Sequence, residues 1–377
     1  MMRTIITKED SLRGSVARRT MFTIGCFTTL LATLVLLPLG AATQDSAALP
    51  HYKPDARISG VIRIFGSDLG GMVKDWEDGF RKFQPEALFE DQFPSSDGAE
   101  GGLISGVADI GSSGREPVLT EFLSFNETFK YDLQTVNVAT GAYDIKGKTW
   151  AVVILVNKDN PLTKLTMKQL DGIFGAERTG GYNGYKWSLQ PARSAKDNIR
   201  TWGQLGLTGD WVDKPIHTYG YANTGMSNFF ELAVFHGGEK WNPNYREYVE
   251  SETKMVTDER GNSYHMLEEL TKDKYGIAWS GIPHASRFPQ LKILAIAAEE
   301  GAPYVRPTRT TVQNRTYPLS RSIFMYVKHP PGQPLEPKVR EFLRYILSEE
   351  GQEDVARLNV YLPLTPTVVG DELKKIE

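Results

Sequence analysis

Cysteine is nearly absent from this chain. A single one, Cys26, stands in 377 residues, so no internal disulfide can form and no cysteine cluster can hold a metal. A basic excess is missing too: 43 Lys and Arg stand against 46 Asp and Glu. Nucleic-acid binding usually draws on such a surplus, and no nucleic-acid partner is expected. His217, His236, His265 and His284 show no metal-pair spacing, so no metal is expected either. The Walker loop, the Gly-x-Gly-x-x-Gly fingerprint and the Gly-x-Ser-x-Gly elbow are all lacking. That argues against nucleotide-binding and α/β-hydrolase chemistry and leaves no cofactor to expect.

Long apolar runs are equally scarce, with one exception at the start. Arg13, Arg18 and Arg19 lead into the stretch Phe22 to Leu39, followed by Gly40, Ala41 and Ala42. This is the layout of a secretory signal over residues 1–42, with a periplasmic or extracytoplasmic destination. At 18 residues the run also sits at the lower limit for spanning a bilayer, which leaves an uncleaved anchor open. Arg18-Arg19 fits a twin-arginine route, although arginine pairs occur in any basic leader. Cys26 does not follow the apolar run, as a lipid-modified cysteine would. Removing residues 1–42 takes away five basic and two acidic groups and moves the net charge from −3 to about −6. An acidic protein draws no anion from a distance, so any anion site must be local.

What remains is an alternation of apolar strands and amphipathic helices. After a linker over residues 43–56, Val61 to Phe65 reads as a buried strand ending at Gly66. Leu69, Val73, Trp76, Phe80 and Phe83 then share one helical face, and Pro85 ends the run. Trp150 to Val156 reads as a central strand. Thr166 and Gln169 have capping-box spacing ahead of Leu170, Ile173 and Phe174. Further strands are expected at Ile216 to Tyr221, Gly276 to Trp279, Leu291 to Ala297 and Ser322 to Val327, with a last helix over Val339 to Leu347. Residues 175–211 read mostly as loops. With no internal repeat, 40% hydrophobic and 24% charged residues, the pattern predicts a soluble α/β protein of two lobes with mainly parallel sheets.

Candidate chemistry lies where strands run through Gly, Ser, Thr or Asn into helices: Gly66-Ser67-Asp68, Ser95-Ser96-Asp97 and Asn223-Thr224-Gly225. A helix's first turn leaves N–H groups unpaired and carries partial positive charge, so several such ends aimed at one point bind an oxyanion. Taken singly, each reads as an ordinary cap, and only the set points to a ligand. A short strand is expected at Ala108 to Ile110, and Ser112 and Ser113 lie in the loop that follows it, ahead of Arg115, whose guanidinium is either a two-pronged anion clamp or a surface arginine. Asp68, Asp97 and Asp109 are the nearby carboxylates. One facing the pocket would accept a bond from a protonated anion and so separate hydrogen phosphate from sulfate.

In these residues, and in Val153 to Phe174, Thr201 to Leu207, Tyr275 to Ser280 and Tyr317 to Arg321, the chain resembles the periplasmic phosphate-binding subunits of phosphate ABC transporters from about Ile58 onward. The resemblance implies a two-lobed type II periplasmic-binding-protein fold with two crossovers. It places a first lobe at 57–150 completed by 300–377, and a second at 151–299. It implies a solute-binding protein that closes on phosphate or a similar oxyanion and serves a membrane permease as a monomer, without chemistry. Its ligand set would be Gly66, Ser67, Asp68, Ser96, Asp97, Ser112, Ser113, Arg115, Asn223, Thr224 and Gly225. Where relatives carry an arginine and Ser-Gly-Thr, this chain has Tyr221 and Thr224-Gly225-Met226. A secreted phosphoester hydrolase, or a scaffold or sensor with a degenerate cleft, remains as an alternative.

Overall fold

The computed structural model describes residues 48–184, 186–222, 225–249 and 262–377. The expected signal segment, the start of the linker, and Asn223 and Thr224 lie outside the described residues. Among those described, no helix is long and apolar enough to cross a membrane.

The chain opens as the apolar pattern predicts, with strand β1 at Gly60–Gly66. Asp68 then caps a 3₁₀ turn over Leu69–Gly71 by accepting the Gly70 N–H, and the regular helix α1 begins only at Met72–Arg81. Val73, Trp76 and Phe80 are fully buried along its inner face, whereas Phe83 falls beyond the helix and is 39% exposed. Next come β2 (Ala87–Gln92), α2 (Ala99–Ile104), β3 (Ile110–Ser113), α3 (Leu119–Phe129) and β4 (Gln134–Thr140). Gly111, Ser112 and Ser113, expected in a loop, form most of β3. Their small side chains let α2 lie close: a Cβ on Gly111 would come within 2.5 Å of the Ala99 carbonyl.

The chain then crosses to a second sheet. Strand β5 (Val152–Asn157) is buried at every position, as a central strand must be. Helix α4 (Met167–Phe174) carries the expected capping box, with Gln169 N–H to Thr166 Oγ1 at 3.1 Å and Thr166 N–H to Gln169 Oε1 at 2.9 Å. Strand β6 (His217–Tyr221), helix α5 (Gly225–Val234), strand β7 (Tyr245–Tyr248), helix α6 (Asn262–Lys272), strand β8 (Gly276–Gly281) and strand β9 (Leu291–Ile293) complete this half. The single strand expected over Leu291 to Ala297 is two. Leu291–Ile293 pairs with β5, and Ala295–Ala297 pairs with Lys164–Thr166 in a separate two-stranded sheet.

On its return the chain forms β10 (Ser322–Val327) and helices α7 (Pro337–Ile346), α8 (Glu349–Leu358) and α9 (Pro366–Ile376). The helix expected to be last is α7; two more follow it. Strand order is β2-β1-β3-β10-β4 in the first sheet and β7-β6-β8-β5-β9 in the second. The expected parallel pairing holds in one half of each. The pairings of β10 with β3 and β4, and of β5 with β8 and β9, are antiparallel, so both sheets are mixed. Each sheet has its own core. Val312, Tyr317 and Leu319, on the returning segment, pack into the core of the second sheet.

Candidate functional site

The C-terminal end of β1 sets the geometry. Gly66 adopts φ +139°, and a Cβ there would stand 2.1 Å from the Ser112 carbonyl, so only glycine lets β1 and β3 approach this closely. Across that contact Ser67 N–H reaches Ser112 O at 2.9 Å, and Ser112 Oγ donates to Ser67 O at 2.7 Å. The Ser113 hydroxyl donates to Arg115 O at 2.9 Å and accepts the Arg115 N–H at 3.2 Å. Both serines are fully buried. The structure therefore takes Gly66, Ser112 and Ser113 out of the lining: they lock the loops that carry it.

Ser67, Asp68, Ser96, Asp97, Arg115 and Gly225 do converge, as the strand-to-helix junctions suggest, around one cavity of about 380 Å³. Gly114, Lys148, Thr149, Met226, Arg321 and Tyr361 are among the other residues of its walls. Several donors at the cavity are still unused. The Ser96 hydroxyl accepts the Gly114 N–H at 2.9 Å, and the Ser67 hydroxyl accepts the Leu69 N–H at 3.2 Å. Neither hydroxyl proton has an acceptor among the described residues, nor do the backbone N–H groups of Asp68 and Ser96. Lys148 forms no ion pair among the described residues. These are four neutral donors and one ammonium, from separate stretches of chain.

Arg115 is placed at the cavity but is fully engaged. Nη1 and Nη2 bind Glu121 at 3.0 and 2.7 Å, Nη1 also reaches Glu116 O at 3.0 Å, and Nε and Nη2 meet Asp97 Oδ1 at 2.9 and 2.7 Å. All five N–H bonds are thereby used. Burial alone would weaken its hold on the proton, but Glu121 and then Asp97 outweigh it, and its pKa rises. Asp97 is the replaceable partner, since its side chain is 78% exposed while that of Glu121 is 9% exposed. A Cβ on Gly225 would touch Arg115 Cδ at 3.0 Å, so the glycine admits this arginine against α5.

Arg321 is the cation that reasoning from local pattern missed. It lies just ahead of β10 with its side chain 1% exposed, bound to Glu116 through Nη2–Oε2 at 2.5 Å. Its guanidinium stands 5.1 Å over the Phe229 ring, contacts Met226 Sδ and reaches Gly225 O at 3.3 Å. One buried arginine therefore joins the loop after β3 to the start of α5. Tyr221, noted in the sequence as standing where the resemblance would place an arginine, is a core residue, 1% exposed, with its hydroxyl 2.7 Å from Ser280 Oγ. Asp109, the third carboxylate considered, faces elsewhere: it binds Arg63 and Lys338 at 2.8 and 2.9 Å, ahead of β3 and so at the opposite end of that strand from the cavity. The histidines stay apart, His217 on Asp273 at 2.7 Å and His284 buried against Trp150.

Comparison with known proteins agrees with this architecture. A family model described as a PBP superfamily domain matches residues 105–350. Over 349 residues the chain is 31% identical to the phosphate-binding protein PstS of Pseudomonas aeruginosa, covering 91% of this chain and 96% of that protein. It is 27% identical over 205 residues to the phosphate-binding protein PstS of Staphylococcus epidermidis, or 53% of this chain and 50% of that one. The crystal structure of PstS from Borrelia burgdorferi superimposes with a TM-score of 0.50 at 14% identity, covering 81% of this chain and 100% of the other, a likeness of fold. By sequence and by fold, the chain belongs to the PBP superfamily and, within it, to the PstS family of phosphate-binding proteins.

Proposed function

We propose that this chain is an extracytoplasmic solute-binding protein that captures a small oxyanion, phosphate first, and delivers it to the membrane permease of an ABC transporter. The observation that carries the reading is the set of unused donors. Ser67, Ser96 and Lys148, from three stretches of chain, line one 380 Å³ cavity with the buried Arg321. Neutral N–H and O–H donors bind an oxyanion without needing a basic protein, and they gain strength where water is excluded. The names of the Pseudomonas and Staphylococcus relatives support phosphate as the ligand.

The exposed Asp97 supplies the selectivity. Hydrogen phosphate has an O–H that can donate to a carboxylate, whereas sulfate has none and meets the Asp97 carboxylate with like charge alone. Asp97 then bridges the anion's proton and the Arg115 guanidinium, with Ser67 and Ser96 on the remaining oxygens. Asn223, Thr224 and Gly225 at the start of α5 would complete the site from the second lobe, with 57–150 and 300–377 as the first lobe and 151–299 as the second. The packing of Val312, Tyr317 and Leu319 in the second core supports a return boundary nearer Ser320 than residue 300. The lobes then hinge on the two crossing segments, and the monomer is exported by the segment around Phe22 to Leu39. Isothermal titration with phosphate, sulfate and molybdate tests the reading: one site for phosphate is expected, and heat from none of the three would overturn it.

A further inference from the structure

The cavity holds one carboxylate that phosphate capture leaves idle. Asp68 stands at the turn where β1 gives way to α1, and its Oδ1 accepts the Gly70 N–H at 2.9 Å. Among the described residues its Oδ2 has no hydrogen bond and the carboxylate forms no ion pair. The side chain is exposed and lines the 380 Å³ cavity. It also lies close to the cavity's unpaired cation. A Cβ on Gly70, the residue that Asp68 caps, would stand 3.0 Å from Lys148 Nζ, yet Lys148 makes no ion pair with Asp68. Two opposite charges, one exposed and one half-buried, therefore face a shared space without neutralising each other.

The wall as a whole carries no positive surplus for a dianion. Arg115 and Arg321 are matched by Glu121 and Glu116, which leaves Asp68 and Asp97 against Lys148, one net negative charge. Inorganic phosphate is held against that charge by N–H and O–H donors, whereas a ligand that brings its own cation offsets it. Size points the same way. A cavity of about 380 Å³ falls within the range of roughly 300–1,000 Å³ of sites that take small organic molecules, and Met226 and Tyr361 offer carbon to a short chain.

We propose that this cavity also takes zwitterionic phosphoryl compounds, in which a short chain joins a phosphoryl head to a primary ammonium. Lys148 and the Ser67 and Ser96 hydroxyls hold the head, and Asp68 Oδ2 accepts from the ammonium. The inference rests on the oxyanion reading above and widens it from inorganic phosphate to aminoalkyl phosphoryl ligands. A phosphate ester and a phosphonate present the same two groups, and phosphoethanolamine and 2-aminoethylphosphonate serve as their probes.

The experiment is isothermal titration of the full chain with both probes, with propyl phosphate and propylphosphonate, which match them in size but lack the ammonium, and with inorganic phosphate. At least one amino probe should bind at one site, compete with phosphate, and bind about tenfold more tightly than its propyl counterpart. Which probe does so assigns the source. Asp68→Asn, which keeps the oxygen that caps Gly70, should abolish that preference and tighten inorganic phosphate about threefold, because one like charge is gone. The two affinities then move in opposite directions, which damage to the turn would not produce. Should the variant fail to fold, the amino and propyl probes on the unsubstituted chain decide alone. Equal affinity of the two kinds of probe, no binding of either amino probe where phosphate binds, or a preference that survives Asp68→Asn overturns the proposal. Heat from neither phosphate nor any probe overturns the oxyanion reading itself, so the two failures are distinguishable.

Discussion

Replacing Asp109 by asparagine separates a residue that holds the fold from one that holds the ligand. The carboxylate is buried, 5% exposed, and accepts from Arg63 Nη2 at 2.8 Å, Arg63 N at 2.9 Å and Lys338 Nζ at 2.9 Å, tying β1 and the start of β3 to α7. Burial alone would raise its pKa, but the Arg63 and Lys338 bonds outweigh it and hold it at about 2, against an ordinary 3.8. At about 1.4 kcal/mol per pKa unit, the ionised form contributes roughly 2 kcal/mol to the folded state. A folded pKa below the unfolded one stabilises above the unfolded value and loses that stabilisation as pH falls through the folded value. The contribution is therefore full at neutral pH and lost between about pH 4 and pH 2.

Asp109→Asn should accordingly lower Tm by about 4–8 °C at pH 7, with the curves of variant and wild type converging below about pH 3. Phosphate affinity should not change, because Asp109 sits at the far end of β3 from the cavity. Calorimetric melting across pH 2–8, with phosphate titration at pH 7, reads both. A Tm within 1 °C of wild type at pH 7 would refute the ion-pair argument, and a tenfold loss of affinity would return Asp109 to the ligand site.

Three further outcomes follow from the same geometry. Arg321→Gln leaves Glu116 buried without its cation and should cost about 3–5 kcal/mol, with phosphate binding weakened in whatever fraction stays folded; unaltered melting would show that the pair is dispensable. Ser96→Ala should weaken phosphate about tenfold, or roughly 1.4 kcal/mol, with little change in Tm, as read by titration. Glu231, whose pKa burial pushes up to about 7 although the Trp241 N–H donates to it at 2.5 Å, favours the fold when neutral. Stability from it is full below about pH 4.5 and lost as pH rises to about 7, so Glu231→Gln should add about 1–2 kcal/mol at pH 8 and flatten the pH profile of melting.

The elements legible in the sequence were those whose burial writes a pattern. β5 is apolar because it is covered on both faces, and α1 shows Val73, Trp76 and Phe80 at helical spacing because one face meets the core. β2, Ala-Leu-Phe-Glu-Asp-Gln, went unseen because an edge strand with four exposed positions has no such pattern. β3 showed only its first residue, Ile110, at the end of the strand expected over Ala108 to Ile110, for the opposite reason: Gly111, Ser112 and Ser113 are small because helix and strands crowd them, and small residues in sequence read as a loop. α3 did leave a signal, Glu121 at the third helical position accepting the Val118 N–H at 2.9 Å. That same glutamate clamps Arg115, so its two roles could have been found together.

The site was legible in part because its two kinds of group are specified differently. Ser67, Asp68, Ser96 and Asp97 stand at strand-to-helix junctions, a local feature that any sequence shows. Lys148, Thr149, Arg321 and Tyr361 reach the cavity from the crossing segments and the C-terminal helices, so only topology brings them there. This division also explains how an acidic chain can hold an anion. Arg115 and Arg321 arrive already bound by Glu121, Asp97 and Glu116, so they fix the cavity's walls and add little net positive charge. On the proposed reading, what is left to meet an incoming oxyanion is neutral N–H and O–H groups, one ammonium and the exposed carboxylate of Asp97. A pocket of that kind selects by counting protons and donors rather than by charge, and its affinity should vary weakly with salt. Phosphate binding that falls more than about tenfold between 0.05 and 0.5 M NaCl would show that long-range attraction holds the anion after all.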